Sequence, residues 1–134
     1  MLKAFTPARL RRRTFGQLWM LALQFILGMV LNLLDNPSDG IGHPVYVTVL
    51  VLHILNAIGL VEGGIYIVLR QPLPRRLAWW ATAATLFTLL SGILTVRTGQ
   101  DIWSFAMACG FIVSAWLYGM LYVAADRKAR IINA

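Results

Sequence analysis

Four apolar runs of membrane length, joined by connections too short to hold a domain, constrain this chain more than any other feature. They occupy residues 15–34, 44–69, 77–96 and 102–124. Each is long enough to cross about 30 Å of hydrocarbon as a helix rising about 1.5 Å per residue. With 59% hydrophobic and 13% charged residues, a soluble domain of this size would lack the polar surface to cover its core. Short connections make successive helices neighbours. The predicted fold is therefore an all-α membrane protein, an up-down-up-down bundle of four transmembrane helices forming one domain over residues 1–134.

A net charge of +7 raises nucleic acid as a partner, but the placement of the bases argues against it. They fall into Lys3 with Arg9, Arg11, Arg12 and Arg13; Arg70, Arg75 and Arg76; and Arg127, Lys128 and Arg130. Four spans put all three groups on one side. The other side receives residues 35–43, with Asp35 and Asp39 and no Lys or Arg, and the short turn 97–101. By the positive-inside rule both termini face the cytoplasm of a multi-pass protein of the plasma membrane. An Arg-rich start before an apolar run also fits a signal peptide, yet the run is long for one and no small-x-small cleavage pattern follows. The single cysteine, Cys109, precludes an intramolecular disulfide and reads as a small packing residue.

Thr6 followed by Pro7 reads as an N-cap and first helical position, so a short interfacial stretch is expected ahead of the first span. Phe15, Trp19, Trp79 and Trp80 mark the inner interface. The loop 35–43 is dense in turn residues and puts Pro44 first in helix two, while Pro72 and Pro74 stop that helix and restart the chain. Gln24 and Gly28 can be set against Thr88 and Gly92, and Tyr66 against Tyr122, as a faint sign of duplication.

Small and polar residues recur at helical spacing. Gln24, Gly28 and Asn32 share a face of span one that should point into the bundle. Ala81, Thr85, Thr88, Gly92 and Thr95 line span three, and Ala106, Gly110 and Ser114 line span four. Such stripes predict close helix packing, with interhelical hydrogen bonds contributing about 0.6 to 2 kcal/mol each.

The chemistry-bearing residues sit in span two. His53 and Asn56 face nearly the same way, whereas Glu62 projects from the opposite side of the helix. His53 lies near mid-bilayer, level with Gln24, Thr88 and Cys109. Glu62 is deeper toward the cytoplasm, where Tyr66 or Tyr118 is its expected partner and Gly59, Gly63 and Gly64 permit close approach of another helix. A charged side chain at the centre of an inserted helix costs roughly 2.5 to 3.5 kcal/mol, so Glu62 requires a partner, a proton or a wet cavity.

Three functions compete for these residues. The first is a structural or accessory subunit of a membrane assembly, respiratory or transport, in which the polar groups fix helix register and contact other membrane subunits or a homo-oligomer. The second is a haem b electron carrier using His53, for which the chain offers no second buried histidine. The third is a proton-coupled small transporter using Glu62. In size, helix count and one intramembrane acid the chain resembles the small multidrug transporters, which implies proton handling by Glu62; here the acid lies in the second span. In helix count alone it resembles one half of haem A synthase or a trimmed cytochrome b561, without their paired histidines. No Gly-rich phosphate loop, metal-ligand spacing or Ser/His/Asp set is present, so neither a catalytic residue nor a metal is assigned and an enzyme is not expected.

Overall fold

Thr6 and Pro7 open the first helix. The Arg9 N–H donates to Thr6 Oγ1 at 3.3 Å and the Leu10 N–H to the Thr6 carbonyl at 2.9 Å, an N-cap followed by a proline whose fixed φ suits the first turn. Helix α1 then runs from Pro7 to Leu34. The expected interfacial stretch is thus no separate element but the start of α1, because no helix breaker separates Pro7 from the apolar run. Helices α2 (Gly42–Arg70), α3 (Arg75–Thr98) and α4 (Asp101–Asn133) complete an all-helical fold.

This computed structural model describes residues 5–34, 42–70 and 75–133. The turn-rich stretch 35–41, the connector 71–74 with Pro72 and Pro74, and Lys3 lie outside the described residues. Helix α2 starts at Gly42, ahead of the expected Pro44, which a first helical turn tolerates. At the α3–α4 turn Gly99 adopts φ +65°, and its N–H returns to the Thr95 carbonyl at 2.9 Å. A side chain would strain that left-handed position, so glycine stops α3 there. Helix α4 continues well past Ala124, since Asp126 to Arg130 carry no breaker.

All four helices are long and apolar enough to cross a membrane. Helix α1 packs against α2 and α4, and α3 packs against the same two. Their shared core includes Leu10, Leu21, Leu60, Ile67, Ala81, Tyr118 and Leu121. The outside is apolar as well: Leu55, Leu90, Ile112 and Trp116 are all more than half exposed, as a surface solvated by acyl chains requires.

The small-residue stripes do what their spacing predicts. A Cβ on Gly110 would fall 2.5 Å from Thr88 Oγ1 and 3.0 Å from Phe87, and one on Gly92 would fall 3.2 Å from Met107 Sδ. Close approach of α3 and α4 depends on those missing side chains. The hydroxyls of Thr85, Thr88, Thr95 and Ser114 donate to carbonyls four residues back, at 2.8 to 2.9 Å. They are satisfied within their own helices, so the stripe is a packing surface rather than a polar path.

One end of the bundle is tied by the basic residues and their neighbours. The Phe5 N–H donates to the Arg70 carbonyl at 2.6 Å, occupying a carbonyl that the end of α2 leaves open. Phe5 is buried edge-on against Tyr66 at 5.4 Å, and the Arg70 guanidinium lies 4.7 Å from the same ring. Across the bundle Arg11 Nη1 donates to Asp126 Oδ1 at 2.8 Å, and Arg130 Nε to Asp126 Oδ2 at 2.9 Å. The Arg11 bond, then that of Arg130, holds the Asp126 carboxyl below the usual carboxylate range, and Asp126 raises Arg11 in return. Both groups are solvated, so this clasp orients α1 and α4 more than it stabilises them.

Candidate functional site

Between α1 and α2 the polar side chains form a ladder. Asn56 Nδ2 donates to the Met20 carbonyl at 2.9 Å and to Gln24 Oε1 at 2.7 Å. Gln24 Nε2 lies 2.9 Å from His53 Nε2. The chain of donors has one consistent direction. A backbone carbonyl only accepts, so it orients the Asn56 amide; Asn56 then fixes which Gln24 atom accepts, and the remaining Gln24 N–H must donate to an unprotonated His53 Nε2. His53 therefore carries its proton on Nδ1, a buried atom with no hydrogen-bond partner among the described residues.

The structure thus brings together His53, Asn56 and Gln24, as their shared depth predicts. Gly28 belongs to the same face: a Cβ there would sit 3.3 Å from His53 Cε1. Asn32, expected on the inner face, is exposed instead, because it occupies the last turn of α1. For a haem the geometry is unfavourable. His53 Nε2 is engaged by Gln24, the only other histidine is His43, and among the described residues no three His, Cys, Asp or Glu side chains converge.

A second polar layer lies one glycine pair further along α2. Gly63 meets the Gln17 amide of α1, and a Cβ on Gly64 would fall 2.6 Å from the Tyr118 hydroxyl of α4 and 2.9 Å from Thr82 Oγ1 of α3. Every helix contributes. Gln17, Thr82 and Tyr118 are at most 4% exposed, and Gln17 Oε1, Thr82 Oγ1 and the Tyr118 hydroxyl have no partner among the described residues. Sequence reasoning missed Gln17 and Thr82. The signal existed, since Gln17 precedes Gln24 by seven residues and Thr82 precedes Thr85 by three, placing each on a face already read as inward.

Glu62 is left out of both layers. It is exposed on α2 and makes no hydrogen bond or ion pair with any described residue. The expected tyrosine partners lie elsewhere: the Tyr66 ring packs against Phe5, Arg13 and Arg70, and the Tyr118 hydroxyl is inside the bundle against Gly64. Successive helical residues turn by about 100°. With Gly63 facing α1 and Gly64 facing α3 and α4, Glu62 must look outward. The glycines expected to permit close approach of another helix do so, and the helices they admit are the chain's own: Gly59 meets Met20, Gly63 meets Gln17 and Gly64 meets Tyr118.

Comparison with known protein families, curated proteins and solved structures finds no match to this chain.

Proposed function

We propose that this protein is a small four-span subunit of a membrane assembly, acting through helix packing rather than catalysis. Glu62 carries the reading. The other polar residues deep in α1 and α2, Gln17, Gln24, His53 and Asn56, face the α1–α2 interface, while the one acid of the four spans faces outward without a partner among the described residues. A carboxyl group on a lipid-facing surface is costly. A neighbouring protein that buries and hydrogen-bonds it removes that cost.

In this reading the helices run up-down-up-down in the plasma membrane with both termini in the cytoplasm. Support comes from the contacts between the start of α1 and the ends of α2 and α4, through Phe5–Arg70 and Arg11–Asp126. They gather the basic groups at one end, as the positive-inside rule requires. Extraction from native membranes in a mild detergent tests the proposal. A particle larger than one 15.0 kDa chain is expected after correction for detergent; a strictly monomeric particle at all protein concentrations overturns it.

A further inference from the structure

Where the start of α1 lies beside α4, Ala8, Arg11, Arg12, Phe15 and Tyr122 line an open cleft of about 440 Å³. Its α1 wall is a single helix face, since these residues recur at spacings of three, four and seven. Ala8 contributes only a methyl group, and that leaves the cleft open. The lining is layered along the membrane normal. Arg11 and Arg12 stand about one turn outside Phe15, whose ring lies 5.9 Å from Tyr122 and 6.2 Å from Trp19. Phe15 is 49% exposed and Trp19 64%, so the aromatic layer opens outward at the depth where such rings meet headgroups. Charge is unbalanced at this corner. Arg11 and Arg130 share the Asp126 carboxylate, while Arg12 is exposed and makes no hydrogen bond or ion pair with any described residue. Three guanidinium groups thus face one carboxylate, and Arg11 commits one of its five N–H groups to it.

We propose that this cleft binds an anionic phospholipid of the adjoining leaflet, its phosphodiester on Arg12 and the open edge of Arg11, and an acyl chain against Phe15. The layering selects the ligand. A guanidinium fork matches phosphate oxygens, and an arginine pair with excess positive charge favours a headgroup of net negative charge over a zwitterionic one. A free phosphate would leave the aromatic wall unused, and a water-side acidic peptide would not reach below the arginines to Phe15. Asp126 has a part as well. By holding Arg11 Nη1 at 2.8 Å it fixes that guanidinium at the α1–α4 junction, so the phosphodiester meets one arginine already oriented. The inference needs only helices that cross a membrane, and it stands or falls separately from the subunit reading.

Native mass spectrometry of the full chain in mild detergent tests it, with phosphatidylglycerol and phosphatidylcholine of identical acyl chains as probes. Phosphatidylglycerol should bind more tightly, and Arg12→Gln should weaken it about fivefold. Ala8→Phe, which fills the cleft at unchanged charge, should weaken it at least as much. Ala8 and Arg12 are both exposed, so unfolding in SDS should stay as in the parent chain. Arg76→Gln removes the same charge from α3, which does not pack on α1, and should change affinity by less than about twofold, since screening weakens charges beyond about 10 Å. Equal losses for Arg12→Gln and Arg76→Gln, or none for Ala8→Phe, would mean attraction to the basic end at large and overturn the proposal. Equal binding of the two lipids overturns it too. Glycerol 3-phosphate, an anion without acyl chains, should not displace the lipid; displacement would assign the cleft to free phosphate instead. An acidic chain that co-purifies with the parent protein and is lost from Ala8→Phe would give the cleft to a protein partner and reject the lipid.

Discussion

Gln24 and His53 meet at 2.9 Å across the α1–α2 interface, and the direction of that hydrogen bond is set by the Met20 carbonyl acting through Asn56. A mid-helix polar pair thus takes its orientation from backbone. Each member of the ladder depends on the one before it.

Breaking the ladder at one rung should therefore leave an orphaned group at the next. Asn56→Leu and Gln24→Leu are each expected to destabilise the bundle by about 0.6 to 2 kcal/mol. The double variant should lose less than the sum, because it removes donor and acceptor together. Unfolding by SDS titration in mixed micelles measures all three. Strict additivity would show that the two side chains do not interact.

Glycines in contact and glycines in the open should behave oppositely. At Gly64 the obstacles are a rigid tyrosine and a β-branched threonine, and at Gly110 a threonine and a phenylalanine; Gly64→Ala and Gly110→Ala should each cost about 1 to 3 kcal/mol. Nothing lies within 4 Å of a Cβ on Gly16 or Gly119. There alanine should be neutral or gain up to about 1 kcal/mol from helix propensity. The same SDS titration compares the four, and indistinguishable values would contradict the packing.

Asp126 should make the α1–α4 clasp sensitive to acid alone. Its carboxyl is lowered first by Arg11 and then by Arg130. The folded state thus prefers the ionised form, and the contribution is complete above the ordinary carboxylate range. It is lost as pH falls through the lowered value. Asp126→Asn should flatten that acid limb and leave stability above neutral pH without a slope from this group. Thermal unfolding of the detergent-solubilised protein across pH 2 to 8, a range of about 6 units, reads the difference; an unchanged acid limb in the variant would refute the clasp.

Cys109 is exposed on α4, level with the apolar surface rather than with either end of the bundle. The thiolate that a maleimide attacks forms only in contact with water, so permeant and charged maleimides alike should label Cys109 poorly in intact membranes and readily once the bilayer is dissolved. Labelling by the charged reagent from either side would place that face against water.

Run length and composition were enough to dictate four helices, since in lipid a backbone must satisfy its own hydrogen bonds and an apolar run of about 20 residues has no other economical form. Local chemistry likewise announced the Thr6–Pro7 cap, the α3–α4 packing stripe and the separation of His53 from Glu62 around α2. Which side of α2 faced its neighbours was another matter. In water the apolar face marks the inside, but here lipid and core are equally apolar, so Leu55 and Leu60 look alike in sequence while one is exposed and the other buried. Only helix packing decided that Gln17 and Thr82 join a buried layer, that the glycines near Glu62 admit α1, α3 and α4, and that the Tyr118 hydroxyl fills the space Gly64 leaves open. Volume complementarity between helices made those choices, and it left the acid on the outside.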